Sequence, residues 1–197
     1  PLMITKLNLE NILFLDIETV PETQYFSDLD KTKQDLWDAK SRYQRKEEFT
    51  AEEFYDRAGI WAEFGKIICI SVGYFTIQGD TRLFRTTSFY GEERKLLVEF
   101  KNLLISHFSQ AKHLDTMELW KFGDYKTYTS LKLMTNVLGI PSPKDDIDGS
   151  EVYKTYYVDN DIDRIIIYCE KDTIAVAQIF LRLRGDSILT DDEIIHV

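Results

Sequence analysis

The sequence has few cysteines and few histidines: two and three, respectively, in 197 residues. It lacks any run of eighteen apolar residues and any basic-then-apolar leader, so it predicts neither a membrane span nor a secretory signal. Cys69 and Cys169 each lie in an apolar run, which favours buried thiols over a disulfide. Such thiols are typical of a reducing compartment, and the sequence therefore predicts a cytoplasmic protein.

The sequence also has fewer basic than acidic residues. Lys and Arg number 24 against 34 Asp and Glu, which gives a formal net charge of −10. A broad basic face for binding a phosphate backbone is therefore not expected. An acidic protein can still bind phosphates through a few contacts and metal ions, and the charge leaves room for a basic partner protein. With 44% hydrophobic residues, the chain can bury one substantial core, which predicts a single domain over residues 1–197.

The most informative stretch is an apolar strand that ends in two carboxylates. The apolar run at residues 12–15 contains no glycine or proline, and it predicts a central strand buried on both faces. Asp16 and Glu18 follow it and, two apart on a strand, share one face. Two negative charges there are unfavourable unless a cation or a proton separates them, which predicts a metal site. A solvated turn is the alternative interpretation of such a pair.

A second acidic position lies near the other end of the chain. Apolar residues recur at steps of three or four from Ile165 to Ile179, and Asp172 interrupts that stripe. A carboxylate on the core face of a helix must be neutralised, paired or metal-bound. Tyr168, one turn earlier, is expected to lean over the same spot, although an ordinary core tyrosine is the alternative.

These two places resemble the motifs of a known family. Residues 16–19 are similar to the first motif, and Tyr168 with Asp172 to the third motif, of the DEDD 3′-5′ exonucleases that carry a tyrosine in the last motif (DEDDy). Further blocks resemble one branch, the predicted 3′-5′ exonucleases related to the proofreading domain of B-family DNA polymerases; they lie at residues 13–21, 64–73, 113–120 and 138–146. The resemblance covers nearly the whole chain, and the two motifs in this order are specific.

One departure from the family concerns its second motif, a strand with an Asn-Gly and a Phe-Asp pair that supplies another metal-binding aspartate. Only residues 109–111 stand where it should fall. Either the motif is lost and the protein is catalytically impaired, or a segment near residues 106–113 is missing from this sequence. We favour a missing segment, because loss of a central strand and its following helix would destroy the core. A continuous Cα spacing of about 3.8 Å across residues 105–113 would indicate a true deletion.

The resemblance implies an α/β ribonuclease H-like fold, with a mixed five-stranded sheet flanked by helices and one strand supplied by the missing segment. It implies that Asp16, Glu18 and Asp172 hold two Mg²⁺ or Mn²⁺ ions. Tyr168 would orient or deprotonate the attacking water. Thr19 is a candidate for contacting the substrate, or for bonding nearby backbone.

The implied reaction is hydrolysis of phosphodiester bonds at the 3′ end of single-stranded nucleic acid. The products would be nucleoside 5′-monophosphates, and DNA is favoured over RNA as substrate. Two other functions stay open. A nuclease-fold module that binds nucleic acid or a partner without catalysis predicts the same fold with no turnover. An aspartyl-phosphate phosphatase also places acids after a buried strand, but it needs an aspartate where Glu18 stands.

Periodicity and capping predict the remaining elements. Residues 22–63 are expected to form a helical insertion, with a capping box at Thr50 and Glu53. Asp115 is interpreted as the cap of a short helix, although it could also serve the site from its edge. A hairpin, an amphipathic helix, a shorter helix and a last long helix are predicted at residues 66–89, 92–108, 130–138 and 159–185.

Overall fold

A long β-hairpin occupies the middle of the sheet in this computed structural model, which describes residues 3–107, 115–121, 129–141 and 147–197. The strands are β1 (Leu13–Pro21), β2 (Gly65–Gln78), β3 (Thr81–Tyr90) and β4 (Ile194–His196). β2 pairs antiparallel with both β1 and β3, whereas the short β4 runs parallel to β3. The hairpin prediction is confirmed, as is the mixed character of the sheet.

The sheet has four strands in the described parts of the chain, in the order β1-β2-β3-β4, so the prediction of five strands is wrong. The fifth strand was expected from a segment for which the sequence offers only residues 109–111. Chain continuity across residues 105–113 cannot be tested, because residues 108–114 lie outside the described residues. The missing segment therefore stays a prediction.

Among the strands that the structure describes, the predicted central strand lies at an edge. Within the described residues β1 pairs on one side, with β2. Ile17 is 40% exposed, which contradicts burial on both faces. An apolar run alone does not distinguish a central strand from an edge strand whose faces are covered by helices.

Six helices accompany the sheet in the described residues: α1 (Lys31–Arg45), α2 (Glu93–His107), α3 (Thr116–Lys121), α4 (Leu131–Val137), α5 (Val152–Tyr157) and α6 (Ile162–Arg184). α2 packs on one face, where Leu96 meets Ile70 and Val72. α6 packs on the other, where Phe180 meets the ring of Phe14 at a centroid distance of 5.6 Å. The two sheet faces are thus covered by different helices.

The ends of α6 follow from local chemistry. The Asp161 side chain accepts a hydrogen bond from the Arg164 backbone N–H at 3.2 Å, which caps the first turn. Gly185 ends the helix with φ 84°, a left-handed conformation that glycine adopts without a steric penalty. This confirms the predicted last helix, which carries Tyr168 and Asp172 across the sheet.

The insertion at residues 22–63 has an apolar core of its own. The Trp37 ring is fully buried, and its indole Nε1 donates a hydrogen bond to the Ala51 carbonyl at 2.7 Å. Trp61 and Phe64 pack edge-on against that ring at 5.2 and 5.3 Å between centroids. The insertion meets the sheet where the 3₁₀ helix Tyr55–Ile60 reaches the end of β1.

The predicted capping box within the insertion is confirmed. The Glu53 N–H donates to Thr50 Oγ1 at 3.2 Å, and the Thr50 N–H donates to Glu53 Oε2 at 2.8 Å. None of the helices in the described ranges is long and apolar enough to cross a membrane.

Candidate active site

Two carboxylates and a thiol form a compact cluster where α6 crosses β1. One ligand atom each from Asp16, Glu18 and Cys169 lies within 4.8 Å of the others. The Cys169 thiol donates to the Asp16 carboxylate, with 3.5 Å between Sγ and Oδ2. Residues from opposite ends of the chain therefore meet at one place on the sheet.

The register of β1 with β2 positions the two acids. Asp16 lies opposite Ser71, and Glu18 lies opposite Cys69. Residues directly paired across antiparallel strands point to the same face, so these four side chains form the surface beneath α6. The register shifts between Glu18 and Thr19, so that the bulge lies directly beside the acids.

Burial and mutual repulsion make the acids resist ionisation. Burial, together with the charges of Asp16 and Asp172, raises the pKa of Glu18 to about 9. Burial also raises the pKa of Asp16, although hydrogen bonds from Cys169 and Glu18 oppose the shift. Without a cation, Glu18 therefore holds a proton at neutral pH. A divalent ion at this place would replace that proton and allow both groups to ionise.

Tyr168 and Asp172 border the cluster on α6. Burial raises the pKa of the Tyr168 phenol, as do the nearby charge of Asp172 and a hydrogen bond with its side chain. The phenol therefore stays protonated and can donate a hydrogen bond near the acids. Asp172 acts on Glu18 through its charge, although it is not a member of the three-residue cluster.

Thr19 is not brought together with the acids. It pairs with Ile67, a residue that packs against the α2 side of the sheet. Since side chains alternate along a strand, the Thr19 side chain points away from Asp16 and Glu18. The predicted contact of Thr19 with substrate stays a prediction. Its side-chain direction does not favour a contact with a substrate bound at the acids.

Asp115 lies at the beginning of α3, where its Oδ1 accepts a hydrogen bond from the Met117 N–H at 2.7 Å. This contact is the expected cap. It does not place Asp115 within the cluster of acids on β1.

Sequence reasoning missed Cys169. It correctly predicted that both cysteines are buried and free, but assigned them no place in the site. A hydrogen bond with Cys169 lowers the pKa of Cys69, and the same contact, together with burial, raises the pKa of Cys169. Cys169 thus keeps its proton and acts as a neutral donor to Asp16. The signal was its position three residues before Asp172, on the same widened helix face.

The side chains at the cluster fit a hard divalent cation. Asp16, Glu18 and the adjacent Asp172 offer carboxylate oxygens, the ligands that Mg²⁺ and Mn²⁺ prefer. Burial and the neighbouring charges of Asp16 and Asp172 raise the pKa of Glu18, and a divalent cation at this place would offset that repulsion. The soft Cys169 sulfur serves as a hydrogen-bond donor in this arrangement.

A comparison with protein families identifies the family to which the chain belongs. A family model described as a predicted 3′-5′ exonuclease related to the exonuclease domain of PolB matches residues 85–191, more than half of the chain. The chain belongs to this family. The PolB-related match includes Tyr168 and Asp172, whereas Asp16 and Glu18 precede it and depend on the geometry described above. No curated protein and no solved structure matches the chain.

Proposed function

We propose that this member of the PolB-related exonuclease family is a metal-dependent 3′-5′ exonuclease with a ribonuclease H-like fold. Its substrate would be the 3′ end of single-stranded nucleic acid, with DNA favoured over RNA. The observation that carries the proposal is the meeting of Asp16 and Glu18 on β1 with α6, the helix that bears Tyr168 and Asp172.

In this proposal each site residue has a separate task. Asp16, Glu18 and Asp172 would hold two Mg²⁺ or Mn²⁺ ions. When bound, the ions would supply an activated water and stabilise the leaving 3′ oxygen. Tyr168, a protonated phenol beside Asp172, would orient the attacking water by a hydrogen bond. Cys169 would fix the Asp16 carboxylate by donating to its Oδ2.

The net negative charge bears on substrate binding. With a net charge of −10, the protein is expected to bind only a few terminal nucleotides, and this binding should weaken as salt is added. Single strands suit such a site, because their terminal bases need no unpairing. A basic partner protein could add affinity. The two free, buried cysteines support a reducing compartment, and we propose the cytoplasm.

The test is hydrolysis of 3′- and 5′-labelled DNA and RNA oligomers with Mg²⁺ or Mn²⁺. Asp16→Asn and Asp172→Asn should each abolish turnover, and chelation by EDTA should do the same to the wild type. Asp163→Asn is the matched control, because it removes the same charge from an exposed position on the first turn of α6. Unchanged turnover in the Asp16 and Asp172 variants would refute the site.

A second function is favoured by one specific observation. The described sheet has four strands with β1 at its edge, and the site there has three carboxylates, those of Asp16, Glu18 and Asp172. A nuclease-fold module that binds single strands without cleaving them fits these facts if the second motif is truly lost. Binding of labelled oligomers with no shortening at either end, under both metals, would establish it.

A further inference from the structure

A lysine lies close to the candidate site in this acidic protein. Lys66, on β2, pairs with Val20, two residues beyond Glu18 along β1, which is a distance of roughly 7 Å at the usual strand rise. Its Nζ lies over the rings of Tyr156 and Tyr157, at 5.4 and 5.1 Å from their centroids. Within the described residues no carboxylate lies within 4.0 Å of that Nζ. The cation is thus held by aromatic rings rather than neutralised by an acid.

Two further tyrosines lie near the two that hold this lysine, and we call the four together the tyrosine surface: Tyr25, Tyr153, Tyr156 and Tyr157. The rings of Tyr153 and Tyr156 lie 5.4 and 5.0 Å from the ring of Tyr157. The Gln24 side-chain amide links Tyr25 to this group, because it donates to the Tyr25 hydroxyl at 3.1 Å and to the Tyr157 carbonyl at 3.4 Å. The surface joins α5 to the beginning of the insertion.

Hydrogen bonds to the backbone fix part of this surface. The Tyr157 hydroxyl donates to the Pro21 carbonyl at 2.7 Å, and the Tyr153 hydroxyl donates to the Gln24 carbonyl at 2.7 Å. Tyr25, in contrast, is 58% exposed. Rigid supporting rings beside an exposed ring are what a stacking site needs, because little side-chain freedom is lost on binding.

The tyrosine surface adjoins the candidate active site. Tyr156, Tyr157 and Tyr168 pack against the same buried cluster, which includes Val20 and Cys169. Pro21, whose carbonyl accepts from Tyr157, is three residues beyond Glu18 on β1. Lys66 and the tyrosines therefore lie within reach of a nucleotide strand whose 3′ end is at the acids.

We propose that Lys66 and the tyrosine surface bind the nucleotide that precedes the 3′-terminal one. Lys66 contacts its phosphate, and the half-buried ring of Tyr156, next to the exposed ring of Tyr25, stacks on its base. Stacking on an aromatic ring tolerates every base, so this contact gives affinity without sequence preference. The direction of the strand rests on the proposed exonuclease function, whereas the contact itself is tested by binding alone.

The lysine contact is tested by fluorescence anisotropy with a labelled single-stranded DNA oligomer, in Ca²⁺ across a salt series. Lys66→Gln should weaken binding and reduce the slope of log affinity against log salt by about 0.7, the value for one lost phosphate contact on a single strand. Lys101→Gln removes the same charge from an exposed position on α2, across the sheet, and should leave the slope unchanged. Equal slopes in the wild type and Lys66→Gln would overturn the proposal.

The stacking contact is tested with the same assay and an abasic oligomer of equal length. Tyr156→Leu should weaken binding of the normal oligomer by about 5-fold to 100-fold, whereas Tyr156→Phe should preserve it. The abasic oligomer should bind weakly to both variants and to the wild type alike. An equal loss for the normal and abasic oligomers in Tyr156→Leu would overturn stacking and indicate a structural role.

Hydrolysis is measured separately on the same proteins, so that the two proposals can fail independently. Weaker binding in Lys66→Gln, together with no turnover in the wild type, would support the proposed phosphate contact and refute the proposed exonuclease activity. Turnover in the wild type with unchanged binding, KM and kcat in Lys66→Gln and Tyr156→Leu would refute the contact and leave the exonuclease standing.

Discussion

The buried acid at the candidate site has a measurable effect on stability. The pKa of Glu18 is raised from an ordinary value of 4.5 to about 9. Between these values the folded chain holds a proton that the unfolded chain releases, so stability falls as the pH rises through this window. At pH 7 the cost is about 3 kcal/mol, since each pH unit above 4.5 contributes about 1.4 kcal/mol.

Glu18→Gln removes this cost, because glutamine is neutral in both states and nearly the same size. We expect the metal-free variant to be more stable than the wild type by up to about 3 kcal/mol at pH 7, with the difference vanishing near pH 4.5. The assay is urea unfolding in EDTA from pH 5 to pH 8. Glu52→Gln provides a control, since the Glu52 side chain is exposed on the insertion, away from the acids.

Divalent metal should reverse this order. A cation that binds the folded acids replaces the proton and stabilises the wild type, whereas Glu18→Gln has lost one ligand and should respond less to added Mn²⁺. Parallel pH dependence of the two proteins in EDTA would refute the claim that Glu18 is held protonated. An equal response to Mn²⁺ would refute its role as a ligand.

Three further predictions concern the fold. Gly73→Ala should destabilise the protein by about 1–3 kcal/mol in urea unfolding, because the new Cβ would lie 2.1 Å from Phe84 Cζ. Trp37→Ala should cost about 3–5 kcal/mol, and hydrogen exchange should rise first within the insertion. Glu193→Gln should lower stability by about 1 kcal/mol at pH 7, because it weakens the hydrogen bonds with Arg82 that lower the pKa of Glu193. Thermal unfolding at several pH values measures this loss, which should shrink below pH 4.5 as Glu193 is protonated.

Local signals in the sequence predicted the elements well. The boundaries of α6 depend on Asp161 and Gly185, whose capping preferences act within a few residues. The hairpin depends on a run rich in β-branched and aromatic residues, an alternating run, and between them Gly79, which adopts φ 62° in the turn. In each case the physical cause lies in the same stretch of chain as the pattern, so that sequence alone was sufficient.

Signals that depend on distant parts of the chain were harder to interpret. Whether β1 lies at the centre or edge of the sheet depends on which strand forms beside it, and the apolar run contains no information about that neighbour. Cys169 resembled any buried thiol until α6 was docked across β1 and its Sγ reached Asp16. The meeting of the two carboxylates with α6 was anticipated through the family resemblance rather than through periodicity.

The separate interior of the insertion has an evolutionary consequence. Because Trp37 and its neighbours pack among themselves, substitutions there need not be matched by changes beneath α6. Descendants of this chain can therefore vary the interior of the insertion while the residues beneath α6 stay unchanged. The contact between the insertion and β1 is an exception, since any side chain at Gly59 would come within 2.8 Å of the Val20 backbone. Gly59 should therefore tolerate few substitutions.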